Sequence, residues 1–194
     1  MTPIRRRALG IGFSALALAL IGCDRDLPTV LRPGEPGPVI APERDLDALF
    51  QTDSLSYTLS ENGFYTAKIG IEFTNRTATT LYIANCNRQS AVHLEKLVNG
   101  EWKWAWTAII PSCASRPIVV EPNATYQPAV LFYAGMAGTN VGSQFEVYPI
   151  DGVYRFVWTT SPAVTVVETF STENLVPHAQ RVSNRFALRT RSGT

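Results

Sequence analysis

The sequence predicts an all-β domain, a sandwich or barrel of about eight or nine short strands. From residue 55 onward, apolar and polar residues alternate with a period of two, in segments spaced about 8–12 residues apart. Gly, Pro and Asn residues suited to turns separate these segments. No segment after the first 22 residues has the periodicity of an amphipathic helix, so we expect almost no helix.

The clearest predicted strand runs from Tyr65 to Phe73, where five apolar residues alternate with polar or small ones. Such alternation is typical of a strand with one face in the core and the other in solvent. The other segments with strand character are residues 55–59, 81–86, 91–98, 102–106, 118–120, 125–134, 145–148, 153–159, 164–170 and 181–189.

Asn99-Gly100 separates two of these segments and predicts a hairpin with a two-residue turn, because both residues readily adopt positive φ. This turn would place Lys96 opposite Lys103, and like charges directly opposite each other are unfavourable. A different register between the two strands is therefore the alternative.

In the segment at 153–159, Tyr154, Phe156 and Trp158 share one face of the predicted strand, and Arg155 lies on the other. Because Arg155 is long and charged, we expect its face to reach water. The aromatic face should therefore point into the sandwich, with Tyr154 buried and its hydroxyl bonded to nearby backbone.

The first 22 residues have the features of a bacterial export signal. Arg5, Arg6 and Arg7 precede an uncharged apolar segment, Leu9–Ile21. A helix of that length spans about 20 Å, which is shorter than the hydrocarbon core of about 30 Å. We therefore expect a cleaved signal peptide rather than a transmembrane helix, exported by the general or the twin-arginine route.

Leu20-Ile21-Gly22-Cys23 resembles the lipobox of bacterial lipoproteins. The resemblance implies that cleavage precedes Cys23 and that a diacylglycerol is attached to its thiol. Two or three acyl chains hold a protein stably on a bilayer. The expected location is the bacterial cell envelope, anchored by lipid to the inner or outer membrane and facing the periplasm or the exterior. The alternative is an ordinary secretion signal in which Cys23 is incidental.

The predicted organisation is a signal peptide (1–22), a lipidated Pro-rich linker (23–53) and a β-sandwich domain (54–194). The linker assignment rests on five prolines and two glycines between residues 28 and 42, a composition that favours extended geometry. Cleavage removes three of the 17 basic residues and none of the 16 acidic ones, which leaves a net charge of −2. A near-neutral chain of this kind argues against a nucleic-acid partner.

Cys86 and Cys113 are the only cysteines besides Cys23. In an oxidising compartment such a pair predicts a disulfide, with Cα atoms about 4.4–6.8 Å apart. Neither cysteine belongs to a Cys-x-x-Cys motif, and His93 and His178 have no ligand-like spacing. We therefore expect no metal and no cofactor.

Asp151-Gly152-Val153-Tyr154 is similar to the turn before an immunoglobulin-type strand, where a tyrosine hydroxyl holds the corner. Residues 55–190 resemble the immunoglobulin-like domains of uncharacterised bacterial lipoproteins. The shared features are a strand ending in Asn, a cysteine after the next strand, an Asn-Gly hairpin with tryptophan, a Gly-x-Tyr-Arg strand and a closing Ser-Asn-x-Phe. The resemblance implies an immunoglobulin-like antiparallel β-sandwich of about eight strands, and it carries no activity.

Two sets of residues are candidates for binding. Trp102, Trp104 and Trp106 share one face of a predicted strand, and exposed tryptophans stack on sugars or fill pockets in a protein partner. Alternatively, they pack in the core or cover a sheet edge. The second set is the basic C-terminal segment with Arg181, Arg185 and Arg189, which could contact anionic lipid, cell-wall polymer or a partner. A solvated strand face is the alternative for these arginines.

No catalytic motif is present: the sequence has no Gly-x-Ser-x-Gly, no His-Glu-x-x-His and no phosphate-binding glycine loop. We therefore expect a lipid-anchored module that binds or scaffolds another envelope protein, and no enzyme. The alternative is a module that contacts glycan or peptidoglycan through the three tryptophans, which a solvent-facing row would favour. An enzyme with an unrecognised site is a further alternative.

Overall fold

The computed structural model describes residues 41–86, 89–108, 115–140, 142–161 and 175–191. These residues all belong to one compact unit, Pro36–Thr194. The predicted signal peptide, Cys23, the linker up to residue 40, Cys113 and the predicted strand at 164–170 lie outside the described residues.

The described part of the chain is almost entirely β, which confirms the predicted class. It contains 14 strands, one 3-10 turn and no α-helix. Several strands have only two or three residues, so their number exceeds the prediction, and seven have five residues or more. The strands are β1 (Phe50–Thr52), β2 (Ser56–Glu61), β3 (Phe64–Thr74), β4 (Leu81–Ile83), β5 (Asn85–Cys86), β6 (Gln89–Ser90), β7 (Val92–Val98), β8 (Glu101–Thr107), β9 (Ile118–Val120), β10 (Thr125–Tyr126), β11 (Ala129–Gly135), β12 (Gly152–Trp158), β13 (Thr160–Ser161) and β14 (Phe186–Thr190).

Nine of these strands form one sheet in the order β1-β3-β2-β14-β12-β7-β8, with β10 and β11 also paired to β3. Phe132 of β11 packs on Trp106 of β8 with ring centroids 4.5 Å apart, although the two strands lie near opposite ends of this order. The sheet therefore folds back on itself, and its two halves form the layers of a sandwich around one core. Smaller sheets are formed by β13-β4-β9 and by β5-β6.

The sheet is mixed, and this corrects the expectation of a purely antiparallel sandwich. β14 pairs in parallel with β2, from Ala187 opposite Ser56 to Thr190 opposite Leu59, whereas every other described strand pair is antiparallel. A parallel pair needs a long connection between its strands. The chain supplies one here, because almost the whole domain separates β2 from β14.

The domain begins earlier than predicted, within the residues assigned to the linker. Phe50 is fully buried between Phe73 and Trp158, with ring centroids 4.2 and 4.1 Å away. The backbone N–H of Thr52 donates to the side-chain oxygen of buried Asn184 at 2.6 Å, and the Asn184 amide donates to the Thr52 hydroxyl at 2.9 Å. Residues 50–52 thus belong to the sandwich, because the core closes only with the Phe50 ring in place.

The Asn99-Gly100 hairpin is confirmed, with φ values of 52° and 85° and Val98 opposite Glu101. Lys96 and Lys103 do lie opposite each other, so the alternative register is wrong. The two ammonium groups avoid each other, because Lys96 is buried and donates to the carbonyl of Pro149, while Lys103 is exposed.

The buried face of β12 is as predicted, because Tyr154, Phe156 and Trp158 lie in the core. The other face reaches water only in part, since Arg155 is half-buried and Val157 is buried. The Tyr154 hydroxyl donates to the carbonyl of Ile150, four residues upstream. Burial raises the pKa of Tyr154 because the low-dielectric core disfavours the phenolate.

Candidate functional site

A β-bulge in β8 decides which tryptophans reach the surface. Glu95 lies opposite Trp104 and Leu94 opposite Trp106, so Ala105 is an extra residue without a partner on β7. An extra residue reverses the side on which the following side chains point. Trp104 is accordingly 51% exposed, whereas Trp106 is 1% exposed and lies in the core.

The prediction that Trp102, Trp104 and Trp106 share one face is therefore wrong for Trp106. Two hydrogen bonds join the bulged residues of β8 to neighbouring segments. The Trp106 indole N–H donates to the carbonyl of Tyr133 at 3.1 Å, and the N–H of Glu146 donates to the carbonyl of Ala105 at 2.8 Å.

Trp102 and Trp104 lie on the outer face of the sheet, where they meet side chains from β7 and β12. The guanidinium carbon of Arg155 lies 4.2 Å from the centre of the Trp102 ring. Glu95 holds this guanidinium in place, with distances of 2.6 Å to Nη2 and 2.7 Å to Nε. Cation–π stacking, together with two charge-assisted contacts to a single oxygen of the Glu95 carboxylate, Oε2, fixes Arg155 across one face of Trp102.

His93 stacks on Trp104 with ring centroids 3.8 Å apart and an angle of 13° between the planes. Burial lowers the pKa of His93, and the Glu95 carboxylate, 3.8 Å from its Nε2, opposes that shift. The neutral imidazole is therefore favoured at neutral pH. We call the surface formed by Trp102, Trp104, His93, Glu95 and Arg155 the outer patch.

A groove of about 520 Å³ borders the outer patch on the Trp102 side. Besides Trp102 and Arg155, it is lined by Glu43, Arg44 and Arg185, among others. Within the described ranges, Glu43 pairs with Arg185 and no ion pair is found for Arg44. The groove thus combines ring surface with charges of both signs.

The three arginines of the predicted basic segment have different surroundings. Arg181 donates to the carbonyls of Val176 at 3.0 Å and Trp158 at 3.3 Å, so it ties backbone segments together. Arg185 pairs with Glu43 beside the outer patch. Arg189 is exposed and lines a separate groove of about 420 Å³. They are not brought together at one surface.

Sequence reasoning missed His93, Glu95 and Arg155 as members of the surface around the tryptophans. The sequence contained a usable pattern for His93 and Glu95, because alternation in β7 places them on the face that points away from the core, whereas Val92 and Leu94 point into it. Nothing local predicted that Arg155 would stack on Trp102, since the two lie on different strands. Glu43 was missed because it was assigned to the linker.

The outer patch offers ring surface, an imidazole and a fixed guanidinium–carboxylate pair. Such groups bind partners by stacking and charge-assisted hydrogen bonds.

In the described part of the chain, no group of three or more His, Cys, Asp or Glu residues is placed to hold a metal ion. No helix of the described residues is long and apolar enough to cross a membrane. Cys86 is buried, and its pairing with Cys113 stays a prediction. No protein-family model, curated protein or solved structure matches the chain.

Proposed function

We propose that this chain is a lipid-anchored protein of the bacterial cell envelope whose immunoglobulin-like domain binds another envelope protein through the outer patch. The observation that carries the proposal is the half-exposed Trp104, held against His93 on a paired strand. Trp and Arg are the residues that most often anchor protein interfaces. A ring already held in place loses little conformational entropy on binding, which favours affinity.

The same geometry favours a protein over a glycan as the partner. A sugar-binding row needs several tryptophans with open ring faces. Here Trp106 lies in the core and Trp102 is only partly exposed, so the predicted row of three is reduced to one half-exposed ring, that of Trp104. A protein partner can use the exposed part of Trp104 together with the Arg155–Glu95 pair.

The immunoglobulin-like assignment is supported by two features. The bond from the Tyr154 hydroxyl to the Ile150 carbonyl has the form of a tyrosine corner. The Ser-Asn-x-Phe motif also has a structural role, because Asn184 binds the first strand and the Ser183 hydroxyl accepts from the N–H of Phe156 at 2.9 Å.

A photo-crosslinking residue placed at position 104 of the full-length chain in cells is expected to capture one dominant protein. Position 119 is the matched control, because Val119 is also an exposed strand residue, 54% accessible, and lies on β9 outside the outer patch. With that protein purified, Trp104→Ala should weaken binding about 30-fold, the value for a hot spot of about 2 kcal/mol. Val119→Ala should change binding less than about twofold.

Unchanged binding by the Trp104→Ala chain would contradict the assignment of the outer patch. If no protein is captured, and isolated peptidoglycan instead binds the chain in a Trp104-dependent manner, the glycan alternative is correct.

The anchor has its own test. Cys23→Ser removes the thiol that the lipobox resemblance marks for acylation, so labelled fatty acid should no longer be incorporated. The variant should accumulate as an uncleaved precursor or be released from the membrane fraction. The wild-type chain, labelled in parallel, is the control. Incorporation of label into the variant would show that Cys23 is not the acylated residue.

A further inference from the structure

A groove of about 660 Å³, distinct from the two described above, lies on the outer face of β3. One wall comes from β1 and the residue after it, and the other from the segment that joins β10 to β11. Its floor includes Gly70 and Glu72, which alternate with the buried residues Ile69 and Ile71. We call this cavity the β3 groove. Its volume is within the range of about 300–1,000 Å³ that is usual for small-ligand sites.

Four charged side chains line the β3 groove, two of each sign: Arg44, Arg76, Asp53 and Glu72. All four are exposed, and within the described ranges none of them takes part in an ion pair. The groove is therefore neutral overall, but its positive and negative groups do not neutralise each other by direct contact.

Both carboxylates are held in place and keep one oxygen free. Asp53 Oδ1 accepts from the Tyr57 hydroxyl and from the N–H of Gly70 at 3.1 Å. Only glycine leaves room for this carboxylate, because a Cβ at position 70 would lie 2.5 Å from Asp53 Oδ2. Glu72 Oε2 accepts from Gln127 at 3.0 Å. No described residue donates a hydrogen bond to Asp53 Oδ2 or Glu72 Oε1.

The guanidinium groups also keep free donors. Arg76 donates through Nη1 to the carbonyl of Leu46 at 2.6 Å, and its Nη2 and Nε bind no described residue. Arg44 lies two residues before Leu46, and its side chain has no hydrogen bond or ion pair within the described ranges. Asp53 lies instead beside Gly70, to whose carbonyl its N–H donates at 2.9 Å. The β3 groove thus has a basic end near Leu46 and an acidic end near Gly70.

These charges restrict the kind of molecule that fits. Any occupant removes water from the charged groups that it covers, which is costly unless groups of opposite charge replace the water. An anion would meet the two carboxylates, a cation would meet the two guanidinium groups, and a neutral molecule would compensate neither. Charge complementarity therefore favours a ligand with an ammonium at one end and a carboxylate at the other.

We propose that the β3 groove binds a short peptide with free termini. Its ammonium contacts Asp53 Oδ2 and Glu72 Oε1, and its carboxylate contacts Arg44 and Arg76. Along β3, Gly70 and Glu72 are already about 7 Å apart, so a single amino acid is too short to reach both ends. An extended tripeptide spans about 10 Å. The inference is independent of the outer patch, with which the β3 groove shares none of these residues.

Calorimetric titration tests the charge requirement. The full-length chain, purified in detergent, is titrated with tri-alanine, with its N-acetylated form and with its C-terminal amide. The free tripeptide should bind, and each cap should weaken binding at least about tenfold, because it removes hydrogen bonds between charged groups.

Two variants test which end of the peptide each side chain contacts. Arg44→Gln should weaken binding of the free tripeptide and lower the discrimination against the amide, but keep that against the acetylated form. Asp53→Asn should do the converse, and it keeps the oxygen that accepts the bonds holding this side chain. Lys68→Gln and Glu101→Gln are the matched controls, because both residues are exposed and lie outside the β3 groove. They should bind like the wild-type chain.

NMR spectra of the full-length chain locate the bound peptide. The Gly70 amide resonance should shift on addition of tri-alanine, because its N–H donates to Asp53. The Trp104 indole resonance, which reports the outer patch, should not. The proposal is overturned if tri-alanine does not bind at about 10 mM, if either capped peptide binds as tightly as the free one, or if the Gly70 resonance is unaffected. Binding that depends on the ammonium alone would assign the groove to a cationic ligand instead.

Discussion

Tyr154→Ala is expected to lower the free energy of unfolding by about 3–5 kcal/mol, the range for truncation of a large buried aromatic residue. The Tyr154 ring is completely buried and lies 6.2 Å, centroid to centroid, from Phe145, which in turn packs against Phe132 of the other layer. Removing the ring leaves a cavity between the two layers. Denaturant unfolding of the variant and the wild-type chain measures the loss.

Tyr154→Phe is the matched variant, because it keeps the ring and removes only the hydroxyl. The expected loss is about 0.5–1.5 kcal/mol, the usual net value of one hydrogen bond. Its acceptor, the carbonyl of Ile150, belongs to a buried residue. Equal and negligible losses in both variants would mean that Tyr154 is exposed and that β12 faces the opposite way.

Trp106→Ala is expected to cost about 3–5 kcal/mol, whereas Trp104→Ala should cost about 1 kcal/mol or less. Both variants replace Trp by Ala, at positions two residues apart on one strand. The difference between their losses in the free energy of unfolding therefore reports the β-bulge at Ala105. Trp106 loses its packing on Phe132 and its hydrogen bond to Tyr133. Trp104 is half exposed, and its truncation removes the stacking on His93.

Denaturant unfolding measures both losses, and quenching of fluorescence by acrylamide provides a second readout. The fraction of emission accessible to the quencher should fall in the Trp104→Ala chain. Similar unfolding energies for the two variants would contradict the bulge and restore the single tryptophan face that alternation predicts. The small loss expected for Trp104→Ala also makes that variant suitable for the binding experiment, because the domain stays folded.

The all-β class, the long central strand, the hairpin and the buried aromatic face of β12 were predictable from the sequence. Each depends on local chemistry. Alternation with a period of two places Ile69, Ile71 and Phe73 on the buried face of β3, wherever that strand lies in the sheet. Asn99-Gly100 selects its turn through the φ values that those two residues tolerate.

The composition of the outer patch was decided by the tertiary structure. Trp102, Trp104 and Trp106 alternate without interruption, so no periodic pattern reveals the bulge between the last two. Trp106 turns inward because the opposite layer supplies Phe132 to pack against and the Tyr133 carbonyl to accept its N–H. Neither partner is close to Trp106 in sequence.

β1 and the parallel β2–β14 pair were also set by long-range contacts. A strand of three residues that follows a Pro-rich segment is too short to show periodicity. Phe50 joins the core because Phe73 and Trp158 leave a space that its ring fills, and Asn184 satisfies the N–H of Thr52. Local sequence thus determines which segments are strands and how they turn. Which strands become neighbours, and which side chains meet there, depends on contacts between residues far apart in the chain, whose burial outweighs local preference.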